Sequence, residues 1–251
     1  MKLFCVLFAI LPVFAVADDV KIQTQRPADF VNIKKMIPQI QIDMRYFSAH
    51  NFIGRKVEGY QAPVCLLTRP AAQALNTVVE QMRPMGLTVK VYDCYRPQTA
   101  VNDFVRWATE LDNTTMRTEF YPSVDKTRLF SDGYIAARSG HSRGSTLDLT
   151  IVPLGSETPL AESIRKQVSC TAPQSQRYPD NSLDFGTGFD CFSPVSHPSY
   201  QAISAQAKAN RLLLQSLMIR AGFKPLDTEW WHFTLTNEPY PNTYFDFPVN
   251  D

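Results

Sequence analysis

The residues that could do chemistry gather first in Ser139-Gly140-His141-Ser142-Arg143-Gly144-Ser145-Thr146-Leu147-Asp148. His141 and Asp148 are both metal-ligating types, and Gly144 between them can turn the chain. The residues that follow alternate, with Thr146, Asp148 and Thr150 on one side and Leu147, Leu149 and Ile151 on the other. A period of two predicts a strand with one apolar face in the core and one polar face. Asp148 then sits on a rigid strand and looks away from the core, while His141 approaches from the preceding loop. Two ligands do not complete a site, so a third has to come from elsewhere in the fold.

Glu229-Trp230-Trp231-His232 supplies it. His141, Asp148 and His232 offer two nitrogens and one oxygen, a donor set that suits zinc. Three protein ligands leave a fourth position open, the pattern of a catalytic rather than a structural zinc. Such a metal lowers the pKa of a water toward about 7. Glu229 is the natural general base for that water and can return the proton to a leaving amine. An offset of three puts Glu229 and His232 on opposite faces of an ideal strand, so both can face a metal only if the chain bends there. Peptide hydrolysis also needs a cation or donor where the oxyanion forms. Arg96 is the candidate, because Cys94-Tyr95-Arg96-Pro97 lies at a strand-to-helix corner.

These residues need elements to hold them. Ile40 to Tyr46 alternates and predicts a strand. Arg69-Pro70 opens a helix through Ala71, Ala74, Leu75, Val78 and Val79, ending before Pro84 and Gly86. Leu87 to Asp93 reads as a short strand, and Pro97 begins a helix through Phe104 and Trp107. Tyr200 to Gly222 predicts an amphipathic helix carrying Leu212, Leu213, Leu217 and Ile219, and Glu229 to Leu235 a last strand. Residues 18–35 read as a polar extended arm, 112–138 as mostly loop, and 154–199 as a long Pro/Ser/Gly-rich excursion that is either functional or stapled. Helices and strands do not alternate regularly, which favours a single α+β domain with a largely antiparallel central sheet and helices packed on it.

The chain opens with Lys2, an apolar run from Leu3 to Val16 and an Ala15-Val16-Ala17 end. That is the anatomy of a secretory leader, cleaved after Ala17, and the run is short for a membrane span. Residues 1–17 are therefore expected to be a signal peptide and 18–251 the catalytic domain. Cys5 lies inside the leader. Cys65, Cys94, Cys170 and Cys191 remain, an even count that in an exported protein suggests two disulfides. Three pairings are possible; Cys65–Cys94 and Cys170–Cys191 is favoured because the second pair brackets one Pro/Ser-rich loop. Zinc binding by these thiols is the rival, and no Cys-x-x-Cys pair supports it. With 25 basic against 24 acidic residues and no basic run, nucleic acid and anionic membranes are not expected partners.

Taken together, Ser139-x-His141-x-x-Gly144-x-x-x-Asp148 and Glu229-x-x-His232 resemble the zinc D-alanyl-D-alanine dipeptidases of the vancomycin-resistance type. These group with the zinc D,D-carboxypeptidases and the hedgehog N-terminal domain. Tyr92-Asp93-Cys94-Tyr95-Arg96-Pro97, Gly186-Thr187-Gly188-Phe189-Asp190 and the tail from Glu238 through Pro248 extend the resemblance from about Ile40 to the C-terminus. It implies a hedgehog/D,D-peptidase-like fold, one Zn2+ per chain on His141, Asp148 and His232, and Glu229 as base. It further implies Arg96 beside the tetrahedral intermediate, Asp190 on the substrate ammonium with Tyr46 helping, and Ser139 near the substrate carboxylate. Thr146 stands where this family usually has Ala, and the segment between Ile151 and Asp184 is longer than in compact relatives and could cover the pocket. His50 and His197 are left over; neither is assigned to the metal, and each reads as supporting the site from behind its ligands or as structural.

The expectation is thus an exported, periplasmic zinc dipeptidase that splits D-Ala-D-Ala in peptidoglycan turnover. A D,D-carboxypeptidase on longer stem peptides is the alternative of the same class. A zinc-containing binding module without turnover is the alternative of a different class; Glu229 and Arg96 argue against it, since a mere binding site needs neither.

Overall fold

The computed structural model describes residues 20–159 and 167–251, so the leader and Cys5 lie outside the described residues. The region read as an extended arm is partly regular: β1 (Lys21–Gln23), β2 (Phe30–Asn32) and α1 (Ile33–Met36). Phe30, Ile33 and Ile37 are buried anchors in this polar stretch. Ile40 to Tyr46 forms only a two-residue strand, β3 (Gln41–Ile42), followed by a 3-10 turn over Arg45–Phe47. The expected strand fails because Arg45 does not face water. It is buried, with its guanidinium on Asp43 and Asp180, each at 2.8 Å.

β4 (Leu66–Thr68) leads into α2 (Arg69–Met82), which carries Pro70 in its first turn and buries Ala71, Leu75, Val78, Val79 and Met82. β5 (Leu87–Asp93) and α3 (Gln98–Thr109) flank the Cys94-to-Pro97 corner. After α4 (Arg117–Phe120) and irregular chain come β6 (Thr146–Pro153), α5 (Ala205–Arg220), β7 (Phe223–Leu226), β8 (Glu229–Leu235) and β9 (Thr243–Phe245). The central five-stranded sheet has the order β3-β5-β6-β8-β7, antiparallel except for the β3–β5 pair. The α+β architecture with a largely antiparallel sheet is the one expected. No helix among the described residues is long and apolar enough to cross a membrane.

Two expectations need correction. The polar side of β6 is not exposed: Thr146, Asp148 and Thr150 are as buried as Leu147, Leu149 and Ile151. Neighbouring polar groups satisfy its threonines: Thr146 Oγ1 and Thr234 Oγ1 share a hydrogen bond of 2.9 Å, and Thr150 Oγ1 bonds Ser182 Oγ. The buried face of α5 is also not the leucine stripe. Leu212 and Ile219 are exposed, while Ala207, Asn210, Arg211, Leu214, Leu217 and Met218 face inward at helical spacing. Arg211 belongs to that face because it donates to three carbonyls, of Phe185, His197 and Val195, at 2.7–2.8 Å.

The structure bonds Cys65 to Cys94 and Cys170 to Cys191, with Cα–Cα distances of 5.3 and 5.6 Å. The second bond staples the long excursion, whose Asp180 accepts from Arg45, Lys90 and Tyr92. Among the described residues, nothing between 151 and 184 lines the cavity that holds the metal-ligating residues, and the described part buttresses the sheet through Asp180; residues 160–166 of the segment lie outside the described residues.

Gly144 is the tightest point of the frame. Its φ is +80°, and a Cβ there would lie 2.2 Å from Phe30 Cζ. Gly144→Ala combines a strained backbone with a clash against a core ring, and should cost about 2–4 kcal/mol. Chemical denaturation of wild type and variant checks this; an unchanged midpoint would contradict the packing.

Candidate active site and metal centre

Three adjacent strands build the floor. The β5–β6 register shifts between Val91 and Asp93, so that Asp93 lies opposite Asp148, and Asp148 in turn lies opposite His232 on β8. Cross-strand neighbours share a face, so Asp93, Asp148 and His232 form one row of polar groups on the sheet. The bend required of Glu229 is present as well. The β7–β8 register breaks between Pro225 and Leu226, which pair with Phe233 and Glu229 respectively. Such an irregularity re-aims side chains, and Glu229 Oε2 comes within 3.6 Å of His232 Nδ1.

His141 arrives on a 3-10 turn over Gly140–Arg143. Ser139 caps it by accepting from the His141 backbone N–H at 3.3 Å, and Gly144 ends it in a left-handed conformation. His141 Nδ1 lies 2.7 Å from the Cys94 carbonyl. A carbonyl can only accept, so the proton sits on Nδ1 and Nε2 presents a lone pair.

That lone pair faces His232 Nδ1 at 3.2 Å and Asp148 Oδ1 at 3.3 Å, and His232 Nδ1 lies 3.1 Å from the same oxygen. Ligands at zinc–nitrogen distances of 2.0–2.1 Å in a tetrahedron are about 3.3 Å apart, so the triangle has the right size. Asp148 Oδ1 is buried without a hydrogen-bond partner, the condition of an atom waiting for a cation. His141, Asp148 and His232 form the one cluster of this kind among the described residues, with ligand atoms within 4.8 Å of one another. The residues present fit a metal ion.

Around this triangle is a cavity of about 230 Å³, lined also by Arg96, Asp190, Tyr46, Glu229, Tyr134, Arg138 and Ser139. Asp93 holds Arg96 with contacts of 2.9 Å to both Nε and Nη2. Tyr60 donates to the other Asp93 oxygen at 2.6 Å. Tyr46 donates to Asp190 Oδ2 at 2.7 Å. Burial, and then the nearby Asp148 charge, push the Asp190 carboxyl up to about 8, against the pull of the Tyr46 hydrogen bond and Arg96. Burial also pushes Glu229 up to about 8; His232 opposes that shift, and Asp148 and Asp190 add to it.

A family model described as D-Ala-D-Ala dipeptidase, peptidase M15, matches residues 26–161 and 175–250. The chain belongs to this family. Its M15 relatives include a D-alanyl-D-alanine dipeptidase of Streptomyces coelicolor, 34% identical over 221 residues, covering 88% of this chain and 98% of the relative. One of Enterococcus faecium is 34% identical over 220 residues, with 88% and 98% covered. One of Escherichia coli is 30% identical over 207 residues, with 82% and 84% covered. As a member of the M15 family the chain is a metallopeptidase, and the triangle of ligands has the form such an enzyme needs.

All eight residues expected at the M15 site line this one cavity: His141, Asp148, His232, Glu229, Arg96, Asp190, Tyr46 and Ser139. His50 lies outside it, stacked on Tyr178 at 3.4 Å between ring centroids and bonded to Glu119 at 2.6 Å, which is the structural role expected. His197 is likewise absent from the cavity. Sequence reasoning left Asp93 and Tyr60 without roles. Asp93 was legible in principle, since a buried arginine needs a buried carboxylate and Asp93 stands three residues before Arg96. Tyr60 comes from a loop with no periodic signal, and only the fold brings its hydroxyl to Asp93.

Proposed function

We propose that this protein is an exported zinc dipeptidase that hydrolyses D-Ala-D-Ala to two D-alanines, serving peptidoglycan dipeptide turnover in the periplasm. The observation that carries this reading is the convergence of the metal triangle, a buried carboxyl, an arginine and a buried anionic anchor in one dipeptide-sized cavity. The relatives' names support the substrate. The leader anatomy of residues 1–17 and the two disulfides suit an oxidising compartment, with residues 18–251 as the catalytic domain.

Zinc bound by His141, Asp148 and His232 would supply Lewis acidity and acidify a water molecule at neutral pH. Glu229 takes that water's proton; a carboxyl raised by burial is a stronger base near neutrality than an ordinary glutamate. The same carboxyl then hands the proton to the leaving amine, so that bond cleavage expels a neutral group. Arg96, oriented by its two contacts to Asp93, points its positive charge to where the carbonyl oxygen becomes negative. Asp190 and Tyr46 hold the substrate ammonium. Asp190 has a φ of +55°, the one non-glycine residue with positive φ among those described, and such strain at a binding group is the cost of placing it. Trp230 Nε1 on Thr187 at 2.8 Å and Arg211 on Phe185 keep the Gly186-to-Asp190 loop in place.

Each of His141→Ala, Asp148→Ala and His232→Ala should lose both bound zinc and turnover, read by metal analysis alongside alanine release. Stoichiometric zinc with full turnover in any one would remove that residue from the ligand set. The reading as a whole is tested by alanine release from D-Ala-D-Ala and L-Ala-L-Ala, where the D,D-dipeptide should be strongly preferred. N-terminal sequencing of the exported protein should begin at Asp18; a mature chain retaining Met1 would defeat the export proposal.

A further inference from the structure

A free dipeptide is charged at both ends, and the dipeptidase reading, on which this inference rests, gives the ammonium an ionic partner but the carboxylate only the neutral Ser139 hydroxyl that the family resemblance implies. The carboxylate meets an adverse field. Asp148, Asp190 and Glu229 all line the cavity, and Asp93 lies just behind them. A metal on the triangle and Arg96 would offset these charges at the reacting centre, and a separate cation would favour the carboxylate away from it.

Two arginines line the cavity. Arg96 is already committed: Nε and Nη2 are on Asp93, Nη2 is 3.7 Å from Asp148, and the guanidinium packs 5.0 Å from the ring centroids of both Tyr46 and Phe104. Clamped in this way it can serve the reacting carbonyl but cannot swing to a terminal group. Arg138 differs on every count. It is exposed, it immediately precedes Ser139, and it forms no ion pair or hydrogen bond with any of the described residues. Ser139 Oγ accepts from the His141 N–H and lies 3.5 Å from Arg96 Nη1, which leaves its own hydrogen free to donate.

The geometry points to Arg138 as the cation that joins the Ser139 hydroxyl, already expected there, in taking the C-terminal carboxylate of the dipeptide. The planar guanidinium matches a carboxylate with two parallel N–H donors. A rim position suits this role, since the arginine keeps its hydration until substrate arrives and is then covered by it. With Asp190 on the ammonium, the two charged ends bracket the scissile bond over the metal triangle. Arg138 is then a specificity-determining residue: it reads the free carboxylate and takes no part in bond cleavage.

The test compares D-Ala-D-Ala with D-alanyl-D-alaninamide, whose peptide bond is the same and whose C-terminus is uncharged. Zinc-loaded wild type should favour the free acid by about 10-fold or more in kcat/KM, the effect of one charge-assisted contact. Arg138→Ala should raise KM for the acid by about 10-fold with kcat held within about threefold, the pattern of lost uniform binding. Its preference for acid over amide should shrink to about threefold or less, and Arg138→Lys should restore part of it by keeping the charge without the fork. A wild-type enzyme that treats acid and amide alike overturns the inference. So does an Arg138→Ala variant that matches wild type, or one that loses the same factor on both substrates. These results leave the dipeptidase reading standing. Wild type that cleaves neither substrate would overturn both.

Discussion

Glu229→Gln should bind zinc at near wild-type stoichiometry and turn over about 10²-fold or more slowly, since general acid–base catalysis contributes about 10²–10⁴. Glutamine keeps the size of the side chain, and none of the three ligand atoms comes from residue 229. What is lost is the proton acceptor beside the metal triangle, 3.6 Å from His232 Nδ1. The same change removes a buried ionisable group whose pKa burial has pushed up to about 8. Glutamine at this position avoids the cost of ionising a buried carboxyl, so the variant should be no less stable than wild type. Paired metal analysis, thermal melts and single-turnover rates separate these effects. An unchanged kcat would move the base to another residue.

N-acetylation of D-Ala-D-Ala should lower kcat/KM by about 10² or more, which at 1.4 kcal/mol per factor of ten is about 3 kcal/mol. Asp190 is buried and has Tyr46 as its hydrogen-bond partner. An arriving ammonium offers it a charge-assisted partner and returns it to the carboxylate form that burial disfavours. Acetylation removes the charge and adds bulk where the cavity wall is formed by Tyr46, Phe52 and Phe192. Breaking a buried pair by removing one partner costs about 3–5 kcal/mol, which covers the discrimination expected. Asp190→Ala should weaken cleavage of the free dipeptide and narrow the gap between the two substrates. Equal kcat/KM on both with wild type would instead favour a carboxypeptidase acting on longer stem peptides.

The parts of the site carried by regular elements were legible because local pattern and global packing agree there. Leu87 to Asp93 and Glu229 to Leu235 fold as the strands their residues predict, and Arg69 to Met82 as the helix. The His141–Gly144 turn was legible through its glycine, and its Ser139 cap was not. Legibility failed where a polar side chain outside the motifs points inward. Arg45 broke the alternation expected through Tyr46 because it is buried on Asp43 and Asp180. Asn210 and Arg211 displaced the expected leucine face of α5 because they donate to the carbonyls of Asp184 and Phe185, just before Gly186. The polar side of β6 was read as facing away from the core for the same reason. A hydropathy pattern records which residues avoid water and not which polar residues find partners inside. Asp93 shows the remaining gap: its role depends on a register shift that no spacing rule announces, although its neighbour Arg96 stood out at once.

The metal and the substrate meet in one measurement: D-alanine released from D-Ala-D-Ala by the purified mature chain as isolated, after chelation, and after zinc is returned. The expected result is two D-alanines per dipeptide, release abolished by the chelator while the fold persists by circular dichroism, and activity restored by zinc. Undiminished release from the chelated protein, or none from the zinc-loaded one, would contradict a dipeptidase whose chemistry depends on a metal held by His141, Asp148 and His232.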